Sequence, residues 1–399
     1  MADLLKGNAV IGQSGGPTSV INQSLVGVVE AIRSAPVIDK LLGARHGVRG
    51  VVDEQFIDLK AVPAHTLEII AGTPSSALGS TRDKPDKDYC ERIFKSFEKN
   101  NIRYFFYIGG NDSADAARII NDLAKQAKYE LRTFHIPKTI DNDLRVTDHC
   151  PGYGSAARFV ACALMGDDRD SASLPGVKID VIMGRHAGWL TAAATLGRTD
   201  ETDGPHLVYV PERPITEARM LADIDAVYKK LGRCVVAISE GIEDDAGTPW
   251  GTKVTASAER DSHGNVQLSG TGALGDYISG LVKSKLGVKR VRSDTFGYLQ
   301  RSFAGFASKV DQAEARQAGR MAVQYAMSGD LDGSVAMKRT GNGAKYGVEF
   351  FLTKLENVAR ETKNMPAEFL AANGHDVTPA FKEYALPLTG GLPEIAKLF

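Results

Sequence analysis

Long apolar runs are missing from this 399-residue sequence. A membrane-spanning helix needs about 20 such residues in a row, so none is expected. The opening stretch "MADLLKGNAVIG" is far too short. Cysteine is scarce: the four residues Cys90, Cys150, Cys162 and Cys234 include no CxxC pair. With no secretory leader pattern, a reduced, cytoplasmic protein with buried, inert thiols is expected. Charge of one sign is also lacking, since 48 Lys+Arg against 49 Asp+Glu leave a net charge of −1. No broad field draws nucleic acid or a membrane surface, and neither is expected as a partner. The pattern G-x-x-x-x-G-K-[ST] is absent, which excludes a Walker-type phosphate loop. HExxH and any Cys/His set with zinc spacing are absent too, and the eight histidines are scattered.

The composition present is that of a soluble globular chain, 43% hydrophobic and 24% charged. The length exceeds one ordinary core and predicts two domains or one large α/β unit. The 41 glycines cluster at the ends of apolar runs. "NAVIG" leads through "QSGGPTS" into "VINQSLVGVVEAI", where Val20, Ile21, Leu25, Val28, Val29 and Ile32 recur at helical spacing. That is strand, glycine turn, helix, with Thr18 or Ser19 as the expected cap. "RYFFYIGG" leads likewise into "NDSADAARIINDLAKQA", and "KIDVIMGRHAG" into "WLTAAATLG". "RCVVAISEG" is another buried-strand run. Strands alternating with helices predict βαβ units and a mainly parallel sheet, with ligands beyond the carboxyl ends of the strands. "ERDSHGNVQLSGTG" reads as a loop or hairpin, Asp311 to Met327 as a helix, and "TKLENVARETK" as a helix among loops.

Two stretches fit the dinucleotide fingerprint, "GTGALG" (Gly270 to Gly275) and, loosely, "GYGSAA" (Gly152 to Ala157). A polar loop precedes the first and a proline the second. With no strand leading in, neither predicts a dinucleotide. "GGPTS", Gly15 to Ser19, is stronger. Two glycines admit an oxyanion to the backbone, and the following helix aims its free N–H groups at it; a tight turn without ligand is the other reading. "IGGNDS", Ile108 to Ser113, repeats the arrangement, with an amide oxygen at Asn111 and a carboxylate at Asp112. That carboxylate is either a helix cap or part of a site. "PKTIDND" after the apolar "LRTF" places Lys138, Asp141 and Asp143 at a third strand end. A further set, Met183 to Arg185, Glu240, Arg292, Tyr298 and Arg301, suits a second anion. Arginine forks bond two phosphate oxygens at once, and a glutamate suits sugar hydroxyls.

The ordered blocks "GGPTSVIN", "GSTR", "GGNDS", "PKTIDND", "MGRHAGW", "ISEG" and "GYLQR" resemble the phosphofructokinases over nearly the whole chain, and specifically their pyrophosphate-dependent branch. The resemblance implies an α/β fold of two similar Rossmann-like lobes with mainly parallel sheets and an active site in the cleft between them. It places a donor lobe at 1–144 plus about 296–355, a fructose 6-phosphate lobe at about 145–295, and a helical extension at about 356–399. Asp141 matches the base that takes the proton from the sugar 1-hydroxyl, with Thr139 and Asp143 beside it. Gly15, Gly16, Arg82 and Gly110 match positions on the phosphoryl donor. Thr139, Ile140, Asp141, Met183, Gly184, Arg185, Glu240, Arg292, Tyr298, Leu299, Gln300 and Arg301 match the fructose 6-phosphate pocket. Tyr298 stands where ATP-dependent relatives carry histidine; a phenol still donates to phosphate.

Donor choice is implied at two positions where the ATP-using relatives have glycine. Asp112 would fill and repel the place of the nucleotide's α-phosphate. Two like charges ~4 Å apart at an effective dielectric near 20 cost roughly 4 kcal/mol, about a thousandfold in affinity. Lys138 then supplies charge to the transferring group. Mg²⁺ is the implied cofactor, with Asn111 at a position that is aspartate in many relatives. The expected reaction is reversible transfer from pyrophosphate to fructose 6-phosphate, in a homodimer or homotetramer whose sugar pocket a neighbouring chain completes. An ATP-dependent kinase, the same chemistry on sedoheptulose 7-phosphate, and a non-catalytic regulatory subunit are the alternatives.

Overall fold

The computed structural model describes residues 4–254, 271–359 and 361–398. The polar stretch 259–272 falls outside them except for 271 and 272, and "GTGALG" does so at Gly270. The chain divides into two compact units: Met1–Ser155 with Arg301–Lys363, and Ala156–Gln300 with Asn364–Phe399.

Unit 1 is built on a seven-stranded sheet. Its strands are β1 (Gly7–Gln13), β2 (Ile38–Ala44), β3 (Phe56–Asp58), β4 (Ile102–Gly109), β5 (Arg132–Pro137), and, after the excursion into unit 2, β10 (Asp332–Gly341) and β11 (Gly347–Thr353). They lie in the order β11-β10-β5-β4-β1-β2-β3. The five inner strands are parallel, and β3 and β11 close the edges antiparallel. Ala9, Val10 and Ile11 are each fully buried. That is the unalternating pattern of a central parallel strand covered on both faces.

One face is covered by the helices Ile21–Arg33 and Lys309–Ser328, whose apolar residues share a core with Ile11, Phe106 and Ile136. The first helix starts later than expected. Val20 is its flanking residue and no side chain caps it. Thr18 instead accepts the Val20 N–H at 3.3 Å, and its methyl fills the space left by the absent Cβ of Gly152. The two helices touch backbone to backbone. A Cβ on Gly27 would come within 2.0 Å of the Arg316 carbonyl oxygen, and one on Gly319 within 2.2 Å of the Ser24 carbonyl oxygen.

Unit 2 holds a four-stranded, wholly parallel sheet in the order β7-β8-β6-β9. Its strands are β6 (Val177–Ile182), β7 (Leu207–Tyr209), β8 (Cys234–Ser239) and β9 (Val291–Thr295). Residues 364–399, part of the extension expected from about 356 onward, cluster with this unit. Phe369 and Tyr384 bring their rings within 5.9 and 5.3 Å of Trp189, so the tail is core material here. The helix expected in "TKLENVARETK" shrinks to one turn, Leu355–Asn357. It goes no further, because Val358 and Ala359 pack against Ala114, Leu144 and Cys150, and Thr362 bridges to Leu144.

A methyl group at the helix contact tests this packing. Gly27→Ala is expected to destabilise the fold by about 1–3 kcal/mol as the helices move apart. Urea unfolding should show a lower midpoint with an unchanged slope.

Candidate active site

The strands β5, β4 and β1 are neighbours in that order. Chain order reverses at β1/β4, and a crevice opens beyond the carboxyl ends at such a switch point. β1 ends at Gln13 and runs into Gly15 and Gly16; β4 ends at Gly109 and runs into Gly110 and Asn111; β5 ends at Pro137 and delivers Lys138. The three expected loops of unit 1 are therefore brought together.

Each loop is pinned from below. Gly15 takes a left-handed backbone, φ 75°, which glycine adopts without strain. Its N–H goes to the Thr81 carbonyl at 2.9 Å, and its carbonyl accepts from the Ser80 hydroxyl at 2.6 Å. A Cβ on Gly16 would lie 3.0 Å from a guanidinium nitrogen of Arg301. Beneath the second loop, His135 donates from Nε2 to the Gly109 carbonyl at 2.9 Å and meets the Ser334 hydroxyl at 2.8 Å. Burial holds that imidazole neutral, its pKa lowered to about 4.

Lys138 is the centre. It is only 4% exposed, and its Nζ donates to the Gly16 carbonyl at 2.7 Å. Burial pulls its pKa down to about 8. Asp141 and Asp143 pull the other way, while the guanidinium groups of Arg301 and Arg82 add to the fall. Burial likewise pushes the Asp143 carboxyl upward, and a hydrogen bond from Thr139 with the charges of Lys363 and Lys138 opposes this. Thr139 Oγ1 also accepts the Asp141 N–H at 3.1 Å. Between the two aspartates, Asn142 turns the chain with φ 55°, and its side-chain oxygen accepts the Cys150 N–H at 3.0 Å. Ile140 is buried beside them.

Asn111 and Asp112 open the helix Asn111–Gln126. The Asn111 Oδ1 accepts the Asp112 N–H at 2.9 Å. The Asp112 side chain is 58% exposed and pairs with Lys84 at 3.3 Å. Lys84 carried no sequence signal, because one lysine beside "GSTR" looks like any surface charge. Arg82 is exposed at the same segment, which Asp83 anchors through Arg49 and Tyr89.

In unit 2 a second group gathers at the neighbouring ends of β8, β6 and β9. Gly184, with φ 142°, gives its carbonyl to the Ser239 hydroxyl at 2.5 Å, and Arg185 follows it. Glu240, 4% exposed, donates its N–H to the Ile182 carbonyl. Gln300 is buried and its Oε1 accepts the Met183 N–H at 3.3 Å, while Tyr298 and Leu299 are exposed. Arg292 does not join this group in its own chain. It is exposed near the amino end of β9, roughly 10 Å along the strand from the carboxyl end.

The second fingerprint look-alike is spent on the protein itself. The N–H groups of Gly152 and Ser155 donate to the buried Asp311 carboxylate at 2.9 and 2.8 Å. Among the described residues, one group of three acidic side chains is close enough to share a metal: Asp167, Asp180 and Asp294 in unit 2. The Lys178 ammonium already sits among them, bonded to Asp294 and 3.3 Å from Asp167. The carboxylates around Lys138 form no such cage.

Charge positioned at strand ends, with little covalent work for the protein, defines a phosphoryl-transfer site. The family profile Phosphofructokinase matches residues 8–326. A pyrophosphate–fructose 6-phosphate 1-phosphotransferase of Rhodospirillum rubrum is 56% identical over 396 residues, covering 99% of this chain and 97% of that one. Its namesake in Xanthomonas campestris is 37% identical, covering 98% and 94%. The crystal structure of a pyrophosphate-dependent phosphofructokinase from Nitrosospira multiformis superposes with a TM-score of 0.87 at 33% identity, covering 98% and 95%. The chain belongs to the phosphofructokinase family.

The lowered pKa of Lys138 gives a pH signature. A lysine titrates from cation to neutral amine as pH rises, so an anion bound by it is lost on the alkaline side. The expected profile of kcat/KM for the phosphoryl donor falls above pH about 8, because that ratio reports the free enzyme. Lys138→Met should lower the plateau and remove this alkaline limb; a limb that persists unchanged assigns it to another group.

Proposed function

We propose that the chain transfers a phosphoryl group, reversibly, from pyrophosphate to the 1-hydroxyl of fructose 6-phosphate, giving phosphate and fructose 1,6-bisphosphate. The observation that carries this reading is the buried Lys138 ammonium at the glycine loop, with Asp141 and Asp143 beside it and Asp112 on the adjacent loop. Gly15, Gly16, Gly110, Arg82 and Lys138 hold the diphosphate. Asp141 takes the hydroxyl proton as the new O–P bond forms, and the bridging P–O bond breaks to release phosphate. Thr139 and Asp143 orient that base. Lys138 supplies fixed positive charge where the transferring group gathers negative charge. Met183, Gly184, Arg185, Glu240, Tyr298, Leu299, Gln300 and Arg301 recognise the sugar phosphate.

Mg²⁺ would neutralise the diphosphate, held by its oxygens and the Asn111 amide. The placement of Arg292 supports a homo-oligomer: an exposed arginine remote from its own chain's group is available to the sugar phosphate of a second copy. No helix of the described residues is long and apolar enough to cross a membrane, and a cytoplasmic place suits free pyrophosphate as substrate.

Rates measured side by side with pyrophosphate and ATP test the reading. Pyrophosphate alone should support turnover. Asp112→Gly with Lys138→Gly should depress pyrophosphate turnover by roughly a hundredfold or more, the scale of losing a group that stabilises transition-state charge. Asp141→Asn should abolish turnover while sugar-phosphate binding survives. Brisk ATP turnover in the unmodified protein assigns it to the nucleotide-using branch, and turnover surviving in Asp141→Asn removes the base assignment.

A further inference from the structure

The segment after the paired aspartates is held by a residue from far along the chain. Lys363 lies beyond the matched family region, which stops at 326. Its main-chain N–H donates to the Asp143 carbonyl at 2.6 Å. Its Nζ donates to the Thr147 carbonyl at 3.0 Å and to the Asp148 carbonyl at 2.7 Å. One residue earlier, Thr362 bridges to Leu144. Three hydrogen bonds from Lys363, one of them part of that bridge, thus fall between Asp143 and Asp148, immediately after the proposed base.

A lysine is a costly choice for such a tie if packing alone were needed. Burial of the ammonium lowers its pKa, and that loss is opposed by the nearby Cys150, Asp148 and Asp143. A methionine would fill the same space without desolvating a charge. What the ammonium adds is three donors on one flexible stem, here satisfying consecutive carbonyls of an irregular loop whose neighbour β10, through Met337, takes only the Asp148 N–H and the Thr147 hydroxyl oxygen. The same charge bears on Asp143.

We propose that Lys363 is a positioning residue for the loop that carries Asp141 and Asp143, fixing the base against the hydroxyl it deprotonates. This rests on Asp141 acting as that base. Gly15, Gly16, Gly110 and Arg82 lie on other loops, and Lys138, at the start of this one, is held by its own bond to the Gly16 carbonyl, so Lys363 acts on the chemical step more than on diphosphate affinity. Misplacement of a reacting group by about 1 Å can cost on the order of a hundredfold in rate.

The test compares the full chain as wild type, Lys363→Met, Lys363→Gln and Asp141→Asn. Glutamine keeps two N–H donors for the carbonyls without the charge. Lys363→Met is expected to lower kcat roughly ten- to hundredfold, in both directions, with KM for pyrophosphate nearly unchanged. Amide hydrogen exchange should quicken at 143–148 and not across the rest of unit 1. Lys363→Gln should fall between it and wild type on both measures. An unchanged kcat in Lys363→Met, a loss appearing in KM alone, or exchange quickened throughout the unit overturns the proposal. If the methionine variant does not fold, the glutamine variant decides: wild-type kcat and wild-type exchange at 143–148 overturn it. Lost turnover in Asp141→Asn beside full turnover in Lys363→Met sinks the Lys363 role alone; turnover in Asp141→Asn sinks the base assignment beneath it.

Discussion

A buried ammonium that is not fully neutralised is the constraint around which unit 1 is arranged. Lys138 is withdrawn from water, which disfavours its charge, yet an anionic donor makes sense only if that charge persists. The surroundings hold it between two limits. Asp141 and Asp143 keep the cation in place; Arg301 and Arg82 prevent those carboxylates from consuming it entirely. A pKa of about 8 is the outcome of that opposition, and an incoming diphosphate would raise it again. The Gly16 carbonyl then fixes where the charge points. Affinity for an anion and orientation toward it would then come from the same side chain.

The parallel sheet makes this arrangement possible. Strand ends deliver loops side by side, and each loop needs only short anchors to its neighbours: Ser80 and Thr81 for Gly15, His135 for Gly109, Asn142 for the turn between the aspartates. Unit 2 repeats the device with Ser239 and Gln300 serving Gly184 and Met183. Its other charge cluster, Lys178 among Asp167, Asp180 and Asp294, lies on β6, β9 and the helix Tyr153–Ser173. Burial drives the Asp180 carboxyl well above the usual carboxylate range, with Asp167 adding to it. The Lys178 ammonium, 3.6 Å from Asp180, opposes that rise, so this cluster reads as internal charge balance.

The strands and the three converging loops were legible because apolar runs ending in glycine carry both the element and its terminus. Lys138, Asp141 and Asp143 were legible from their place after "LRTF". Other parts were not. The helix expected at "TKLENVARETK" has good local periodicity, but tertiary packing of Val358 and Ala359 overrides it. Thr18 and Ser19 are good caps by type, yet Thr18 is drawn toward Gly152, a partner far off in sequence. Lys84 and Lys363 act through residues 28 and 215 or more positions away, and nothing local marks a lysine for such a role. Arg292, which the resemblance groups with Tyr298 and Arg301, lies near the amino end of β9, and the length of that strand, invisible in a one-dimensional spacing, sets it apart from them within one chain.

The structure also changes the physics of donor choice at Asp112. Treated as a half-buried charge, it would repel an α-phosphate by roughly 4 kcal/mol at ~4 Å. Its side chain is 58% exposed and faced by Lys84 at 3.3 Å. Toward the dielectric of water the same repulsion falls to about 1 kcal/mol, and salt screens it further. A factor of about five in affinity does not separate two donors decisively. Nor would a bare charge be selective, since pyrophosphate is an anion too. What remains is volume. If an α-phosphate takes the place that the resemblance implies, a carboxylate at the first turn of the helix would fill space that glycine leaves open, and only the longer donor would need it. Paired with Lys84, Asp112 would then exclude by size while its repulsion of the shorter anion is muted. Selectivity of this kind resides in the side chain's bulk: an asparagine there should discriminate nearly as well as the aspartate, while a glycine should not.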